Sequence, residues 1–320
     1  MNPSIRIKPR KHYTLLLTCL GMLFLCSMAI SCKKQETAPA PAPSTPPPPV
    51  LSSNAAGRPF RIGMGAMLTP REGFIYYRQL KEYIEKRFGQ PIQLVDRGNY
   101  SEINRLLEIG DIDAAFVCSG PYVEGKDRFG LQLLAMPLVK GEPIYHSYII
   151  VPTDSPARTF DDLRGKVFAF TDPKSNTGKL VPTYMLAKKN ETPEHFFSKI
   201  EFTYGHDNSI RAVAEKLVDG AAIDGLVWEY MALKAPHVTS RTRILLRSEP
   251  FGIPPFVVRP GIPAEQKQKL KQILFHAADD EEGRRIMKGM TIDGFVPGDD
   301  RNYDTIRAMY EWLAKQGKKP

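Results

Sequence analysis

The stretch VFAFTDPKSNTGKLVPTYMLAKK, Val167 to Lys189, reads as a strand, a turn and a helix in immediate succession. VFAF is a short apolar run, Asp172-Pro173 and Ser175 to Gly178 are turn formers, and LVPTYMLAKK has helical composition. The turn would gather the hydroxyls of Ser175 and Thr177, the amide of Asn176 and several unpaired backbone N–H groups at a helix start. Such a place receives a small oxyanion without a full positive charge, because the N–H groups and the helix dipole already favour negative charge. The same residue types also make an ordinary N-cap. The turn by itself fits both readings.

Working outward, the same alternation repeats. RIGMGAM (61–67) reads as a strand, Ile75 to Phe88 as a helix, PIQLVD (91–96) as a strand, Tyr100 to Ile109 as a helix and DAAFV (113–117) as a buried strand. YHSYIIV (145–151) is strongly β in composition, and IEFTY (200–204) follows the central helix. SIRAVAEKLVDG (209–220) predicts a helix with Ile210, Val213 and Leu217 on one face, and AIDGLV (222–227) is strand-like. RILLRS (243–248) and PFVVR (255–259) are further strands. From Pro263 the chain reads as helical and closes on a stripe of Ile306, Met309, Tyr310 and Leu313. This pattern predicts an α/β fold with mostly parallel sheets. The return to strand near residue 250 predicts two lobes, 58–148 plus 250–320 and 149–249. YHSYIIV and SEPFGIPPFVV would cross between them. Ligands bind at such interfaces and beyond the C-terminal ends of strands.

The first 57 residues read differently. Arg6, Lys8, Arg10 and Lys11 precede an apolar run from Thr14 to Ile30, which predicts a secretory signal over 1–31. Ala29-Ile30-Ser31-Cys32 resembles the lipobox of bacterial lipoproteins, with Ala29 where Leu is usual, and implies lipidation at Cys32. Residues 32–57 form a linker in which seven prolines lie between Pro39 and Pro49, so its extended reach is roughly 75 Å. Expected location is therefore the cell envelope, lipid-anchored outside the cytoplasm. Lys33 after the cysteine leans towards the outer membrane.

Of the four cysteines, Cys19 and Cys26 would leave with the signal and Cys32 would carry lipid. Cys118 alone would remain, so no internal disulfide is expected. The 44 Lys and Arg less the four in the leader leave 40 against 35 Asp and Glu, a surplus of +5. No basic block with interleaved aromatics points to nucleic acid.

The ordered motifs NYSEINRLLEIGDIDAAFV, YHSYIIV, TFDDLRGK, DPKSNTGKLVP, GHDNSIRAVAEKLVD and SEPFGIPPFVVR resemble one family of solute-binding proteins. It is the phosphonate/phosphite/phosphate-binding family of bacterial ABC uptake transporters, with the type II periplasmic-binding fold. The resemblance implies two α/β lobes joined by two crossing strands, with a small oxyanion in the cleft and ABC permease subunits as partners. Carried over, it implies Ser175, Asn176, Thr177 and His206 as ligand residues, with Tyr100 and Tyr145 lining the site. Ser119 and Thr69, each just after a strand, are weaker candidates. Taken alone, Tyr100 also suits a helix start, Tyr145 sheet packing and His206 a surface position.

One departure bears on the ligand. Family members that accept amino-phosphonates place carboxylates near the ligand ammonium, and those positions fall on Leu226 and Pro254. Asp224 and Glu229 lie close by and would be the substitutes. An ammonium without a counter-charge in a closed cleft costs several kcal/mol, which predicts a ligand lacking a positive group. A sulfonate ligand, or a tethered sensor with the same fold, are the alternatives.

Catalysis is not expected. Ser175, His146 and His206 would be the only nucleophile-and-base set to write, and no nucleophile elbow, metal helix or P-loop accompanies them. The six histidines lack metal-ligand spacing, and Asp111 with Asp113 suits a turn cap. No cofactor or metal is expected, and the chain is expected to be a monomer.

Overall fold

The computed structural model describes residues 58–65 and 70–318, with side chains of its first helix described from Ile75. The expectations for the leader, Cys32, the linker and Thr69 lie outside these residues.

Thirteen strands are formed among the described residues: β1 (Phe60–Met64), β2 (Ile92–Asp96), β3 (Ala114–Phe116), β4 (Gln132–Leu138), β5 (Ile144–Tyr145), β6 (Ser147–Pro152), β7 (Val167–Phe170), β8 (Lys199–Phe202), β9 (Gly220–Asp224), β10 (Thr242–Arg247), β11 (Phe251–Gly252), β12 (Phe256–Val258) and β13 (Gly294–Pro297). They make a six-stranded sheet ordered β13-β4-β12-β3-β1-β2, a five-stranded sheet ordered β10-β6-β9-β7-β8, and a ribbon of β5 with β11. Parallel pairing, expected for most of the sheets, is confined to β3-β1-β2 and β9-β7-β8. The remaining pairs are antiparallel. The strand entering each sheet from the ribbon, β6 or β12, runs against its neighbours. A helical crossover would be needed to reverse it.

YHSYIIV is therefore two strands, broken at His146, with Tyr145 paired to Phe251 across the ribbon. β6 and β9 are buried at every position, as strands covered by helices on both faces must be. The helices are α1 (Pro70–Phe88), α2 (Tyr100–Glu108), α3 (Ser119–Phe129), α4 (Val181–Ala187), α5 (Pro193–Phe196), α6 (His206–Ala214), α7 (Gly225–Lys234), α8 (Pro236–Thr239), α9 (Ala264–Phe275), α10 (Glu281–Met290) and α11 (Asp304–Lys315).

Three expectations about element boundaries fail. The helix expected to reach residue 220 ends at Ala214, and Leu217, expected in its core face, is 69% exposed. Lys216 adopts φ +58, which ends the helical path before Leu217 can turn inward. AIDGLV is a strand only to Asp224; the side chain of Asp224 accepts the Leu226 N–H and starts α7. The tail beyond Pro263 is not wholly helical, because β13 pairs antiparallel with β4. The GFVP strand is only four residues long, too short for period-2 alternation to register.

Asp113 is buried just before β3, at 2.7 Å from Arg58 and 3.0 Å from Arg259, and it also accepts the Arg61 N–H. It ties the chain's early strand to β12 rather than capping a turn; Asp111 pairs with Arg61 at the edge. The apolar side of the DPKSNTG turn is buried too. Leu180 and Val181 share one core cluster with Leu107, Tyr122, Val257 and Leu313. Tyr184 of α4 meets Trp312 of α11 edge-on at 5.3 Å. The turn thus rests on a packed floor.

Candidate functional site

The loops following five strands converge. Tyr100 follows β2, Cys118 and Ser119 follow β3, Thr171 to Gly178 follow β7, His206 follows β8, and Asp224 ends β9. The first turns of α2, α3, α6 and α7 meet at this point, so several sets of unpaired helical N–H groups face one region.

His206 is 1% exposed, so the surface reading is wrong for it. Its Nδ1 lies 2.9 Å from the Asp224 N–H and accepts it. The ring proton therefore sits on Nε2, which lies 3.4 Å from the Tyr100 hydroxyl. Burial lowers the imidazole to about 3, from an ordinary 6.5, and keeps it neutral. It is a hydrogen-bond donor of fixed tautomer. Tyr100 both opens α2 and belongs to the site: its backbone N–H donates to Asp172 Oδ2 at 3.2 Å.

The turn caps its own helix start. Ser175 Oγ accepts the Gly178 N–H at 3.0 Å, as an N-cap does. The hydroxyl keeps its proton to donate elsewhere. Asn176 to Leu180 then form a single π-helical turn before α4, a geometry that recurs at functional sites. Thr177 accepts from Ser147 Oγ through its carbonyl, at 2.7 Å. Its own hydroxyl has no protein partner, and neither do Thr171 Oγ1 and Asn176 Oδ1, all three atoms being buried. A buried polar atom left so costs about 1–3 kcal/mol, and three within seven residues of one turn is a concentration that needs a cause.

Two glycines let the backbone close up. A Cβ on Gly178 would stand 1.6 Å from Thr171 Oγ1, and one on Gly120 2.8 Å from the Lys174 carbonyl. The first holds the two hydroxyl residues of the turn together. The second lets α3 abut it.

Tyr145 accepts from Asn176 Nδ2 at 3.0 Å, so it packs in the ribbon and also reaches the turn. Ser119 is brought beside Tyr145, but its Oγ donates to the Gly252 carbonyl at 2.7 Å and fastens α3 to the ribbon. Sequence reasoning missed Thr171, Asp172, Cys118 and Ser147. Asp172 accepts from Tyr100 and Lys174 backbone groups. The Cys118 thiol is pushed up to about 11 by burial and stays protonated, with the Asn176 N–H directed at it. The available signal was position: each stands at a strand end or in the first turn after one.

Among the described residues, the contacts made by the turn's hydroxyls and amide come from neutral groups. Lys174 is paired with Glu124 at 3.0 Å, and Lys179 donates to Thr183. Burial raises Asp172 above the usual carboxylate range and pushes Asp224 up to about 7. Glu229 is engaged elsewhere: it accepts from Tyr148 at 2.8 Å and Lys140 at 2.7 Å. His146 bonds the Ser248 carbonyl at 2.8 Å, far in role from any nucleophile pair with Ser175. Among the described residues no group of three or more His, Cys, Asp or Glu could hold a metal.

Dipoles and hydroxyls without cations suit an anion. Residues 62–303 match the family described as ABC transporter, phosphonate, periplasmic substrate-binding protein. The chain belongs to this family. It is 25% identical over 241 residues to the phosphonates-binding periplasmic protein of Escherichia coli (strain K12), covering 74% of this chain and 71% of that protein. It is 26% identical over 278 residues to the phosphate-import protein PhnD of Mycolicibacterium smegmatis, covering 80% and 87%. The solved structure of a binding protein component of an ABC phosphonate transporter from Pseudomonas aeruginosa superposes with a TM-score of 0.76 at 24% identity. That match covers 81% of this chain and 87% of the other, and it shows the shared fold. The phosphonate-binding family member described here has the type II periplasmic-binding fold and is an extracytoplasmic substrate-binding component of an ABC transporter. No helix among the described residues is long and apolar enough to cross a membrane.

Proposed function

We propose that the Ser175–Gly178 turn, with His206 and Tyr100, binds a small phosphorus oxyanion. A phosphonate, phosphite or phosphate head fits, and the bound protein is presented to permease subunits in the membrane. The observation that carries this reading is the unpartnered Thr177 hydroxyl, buried in the first turn of a helix that Ser175 caps. An oxyanion would complete that hydroxyl, the Ser175 proton and the turn's backbone N–H groups together. Asn176 and Tyr145 hold the turn in shape, and Ser119 secures the ribbon beneath it. Thr69 remains a candidate from its position after β1.

In this reading the two lobes, 58–148 plus 250–320 and 149–249, close over the ligand about the β5–β11 ribbon, by the hinge motion common to such architectures. Lipidation at Cys32 would hold a monomer near the membrane, with the proline-rich linker as its tether and the outer membrane as one destination.

Calorimetry with phosphate, phosphite and methylphosphonate tests the site. Binding of at least one of these, lost in both Ser175→Ala and His206→Ala, is the expected result. Binding untouched by either change would refute it.

A further inference from the structure

Of the three buried polar atoms without a partner in the turn, Thr171 Oγ1, Thr177 Oγ1 and Asn176 Oδ1, the last differs in kind. A hydroxyl gives or takes a proton, whereas an amide oxygen only accepts one. Asn176 is fully buried, and its Nδ2 already donates to the Tyr145 hydroxyl at 3.0 Å. Tyr145 in turn bonds the Cys118 sulfur as donor, so it takes the amide nitrogen and not the oxygen. A guest that only accepts would satisfy the two threonines and leave the Asn176 oxygen facing another oxygen.

The charges around the turn point the same way. Burial raises the Tyr100 hydroxyl, and Cys118, Asp172 and Asp224 raise it further, so both carboxyls are felt inside the cradle. His206 is neutral and offers a proton without a charge. Cys118, Tyr145 and Tyr310 of α11 are pushed up by burial and stay protonated. Lys174 is tied to Glu124, and Lys179 donates to Thr183 with its ammonium 5.3 Å from the Phe170 ring. A second negative charge on the guest would meet two acids, with both neighbouring lysines engaged, where water screens little.

We infer that the cradle takes its phosphorus oxyanion as the once-protonated monoanion, whose P–OH donates to Asn176 Oδ1 while its other oxygens accept from the turn's hydroxyls. The inference rests on the reading of the cradle given above and adds the protonation state of the guest. A dianion, a sulfate or a sulfonate has no such proton. Each would leave the amide oxygen unpaired, at about tenfold to a hundredfold in affinity.

Calorimetry on the whole protein with phosphite and methylphosphonate tests this, at pH steps spanning each ligand's second ionisation. Phosphorus NMR of the free ligands fixes those ionisations, and phosphite loses its second proton at the lower pH. Affinity for each ligand should be level below its own ionisation and fall about tenfold per pH unit above it, with one proton taken up on binding there. The break should therefore come earlier for phosphite. Below the break, methanesulfonate, a near-isostere of methylphosphonate with no proton to give, should bind at least about tenfold more weakly. Asn176→Leu should narrow that ratio by about tenfold; should this variant not fold, the curves of the unaltered protein decide. A break at one pH for both ligands assigns the titration to a protein group such as Asp224 and overturns the inference. So do level affinity through both ionisations, methanesulfonate binding as tight as methylphosphonate, or an unchanged ratio in folded Asn176→Leu. Each of these leaves the cradle standing. No response to phosphite, methylphosphonate or phosphate at any pH overturns the cradle itself.

Discussion

His206 Nδ1 accepts the backbone N–H of Asp224 at 2.9 Å, which leaves the imidazole Nε2–H facing Tyr100. One bond thus joins the loop after β8 to the end of β9 and sets the tautomer of a buried donor. It also places two buried titratable side chains with opposite responses to pH side by side.

Those responses can be separated. His206 falls from 6.5 to about 3 on folding, so its stabilising contribution is complete above pH 6.5 and is lost as pH drops towards 3. Asp224 rises from 3.8 to about 7, so its contribution is complete below pH 3.8 and is lost as pH climbs to 7. Across pH 4–6.5 the two slopes oppose each other, each up to about 1.4 kcal/mol per pH unit. Relative to the unaltered protein, His206→Gln should lose stability as pH rises through this window. Asp224→Asn should gain it. Melting curves at half-unit pH steps check the signs, and parallel curves for all three proteins would contradict them.

Thr177→Val keeps the shape of the side chain and removes its unpartnered hydroxyl. Without anion, the variant should match or exceed the parent in stability by about 1–2 kcal/mol, since a buried unpaired polar group disappears. Anion affinity should drop about tenfold or more. A variant that loses stability while binding normally would show that the hydroxyl serves the fold.

Gly178→Ala should be severe. The new methyl would stand 1.6 Å from Thr171 Oγ1 and 3.0 Å from Ser175 Oγ, so the turn has to open. A loss of about 2–4 kcal/mol and of most anion binding is expected, by the overpacking and strain of a tight site. Chemical denaturation and calorimetry read the two effects on the same sample.

Asp113→Asn tests the frame apart from the site. It leaves Arg58 and Arg259 without their shared carboxylate in a buried position, at a cost of about 3–5 kcal/mol. The melting temperature should fall sharply, and the upward shift produced by saturating phosphate or methylphosphonate should persist. A vanished shift in a still-folded variant would tie this cluster to the binding site.

The order of strands and helices was legible because apolar runs and 3.6-residue periodicity are local signals. VFAF, SIRAVAE and the Ile306, Met309 and Leu313 stripe needed no partner to be read. The errors fall where local pattern is thin. Leu217 sits at the right spacing for the buried face, yet the chain leaves the helix first at Lys216. AIDGLV is apolar throughout, and only the Asp224 side chain, in its actual conformation, marks where strand gives way to helix. Cys118, Asp172, Thr171 and Ser147 carried no pattern of their own. Ser147 and Asp172 take their roles from neighbours 30 and 72 residues distant in sequence, Thr177 and Tyr100.

What the sequence determined by itself was a set of local chemistries: an alternating α/β chain, a hydroxyl-bearing turn opening a helix, and a histidine in a Gly-His-Asp corner. Tertiary structure decided the rest. It buried that histidine and so made it neutral, oriented its proton through an amide from another strand, and left Thr177 without a partner while Ser175 caps the turn. Protonation and hydrogen-bond direction depend on desolvation and on which groups face each other, and these exist only once distant strand ends are brought together.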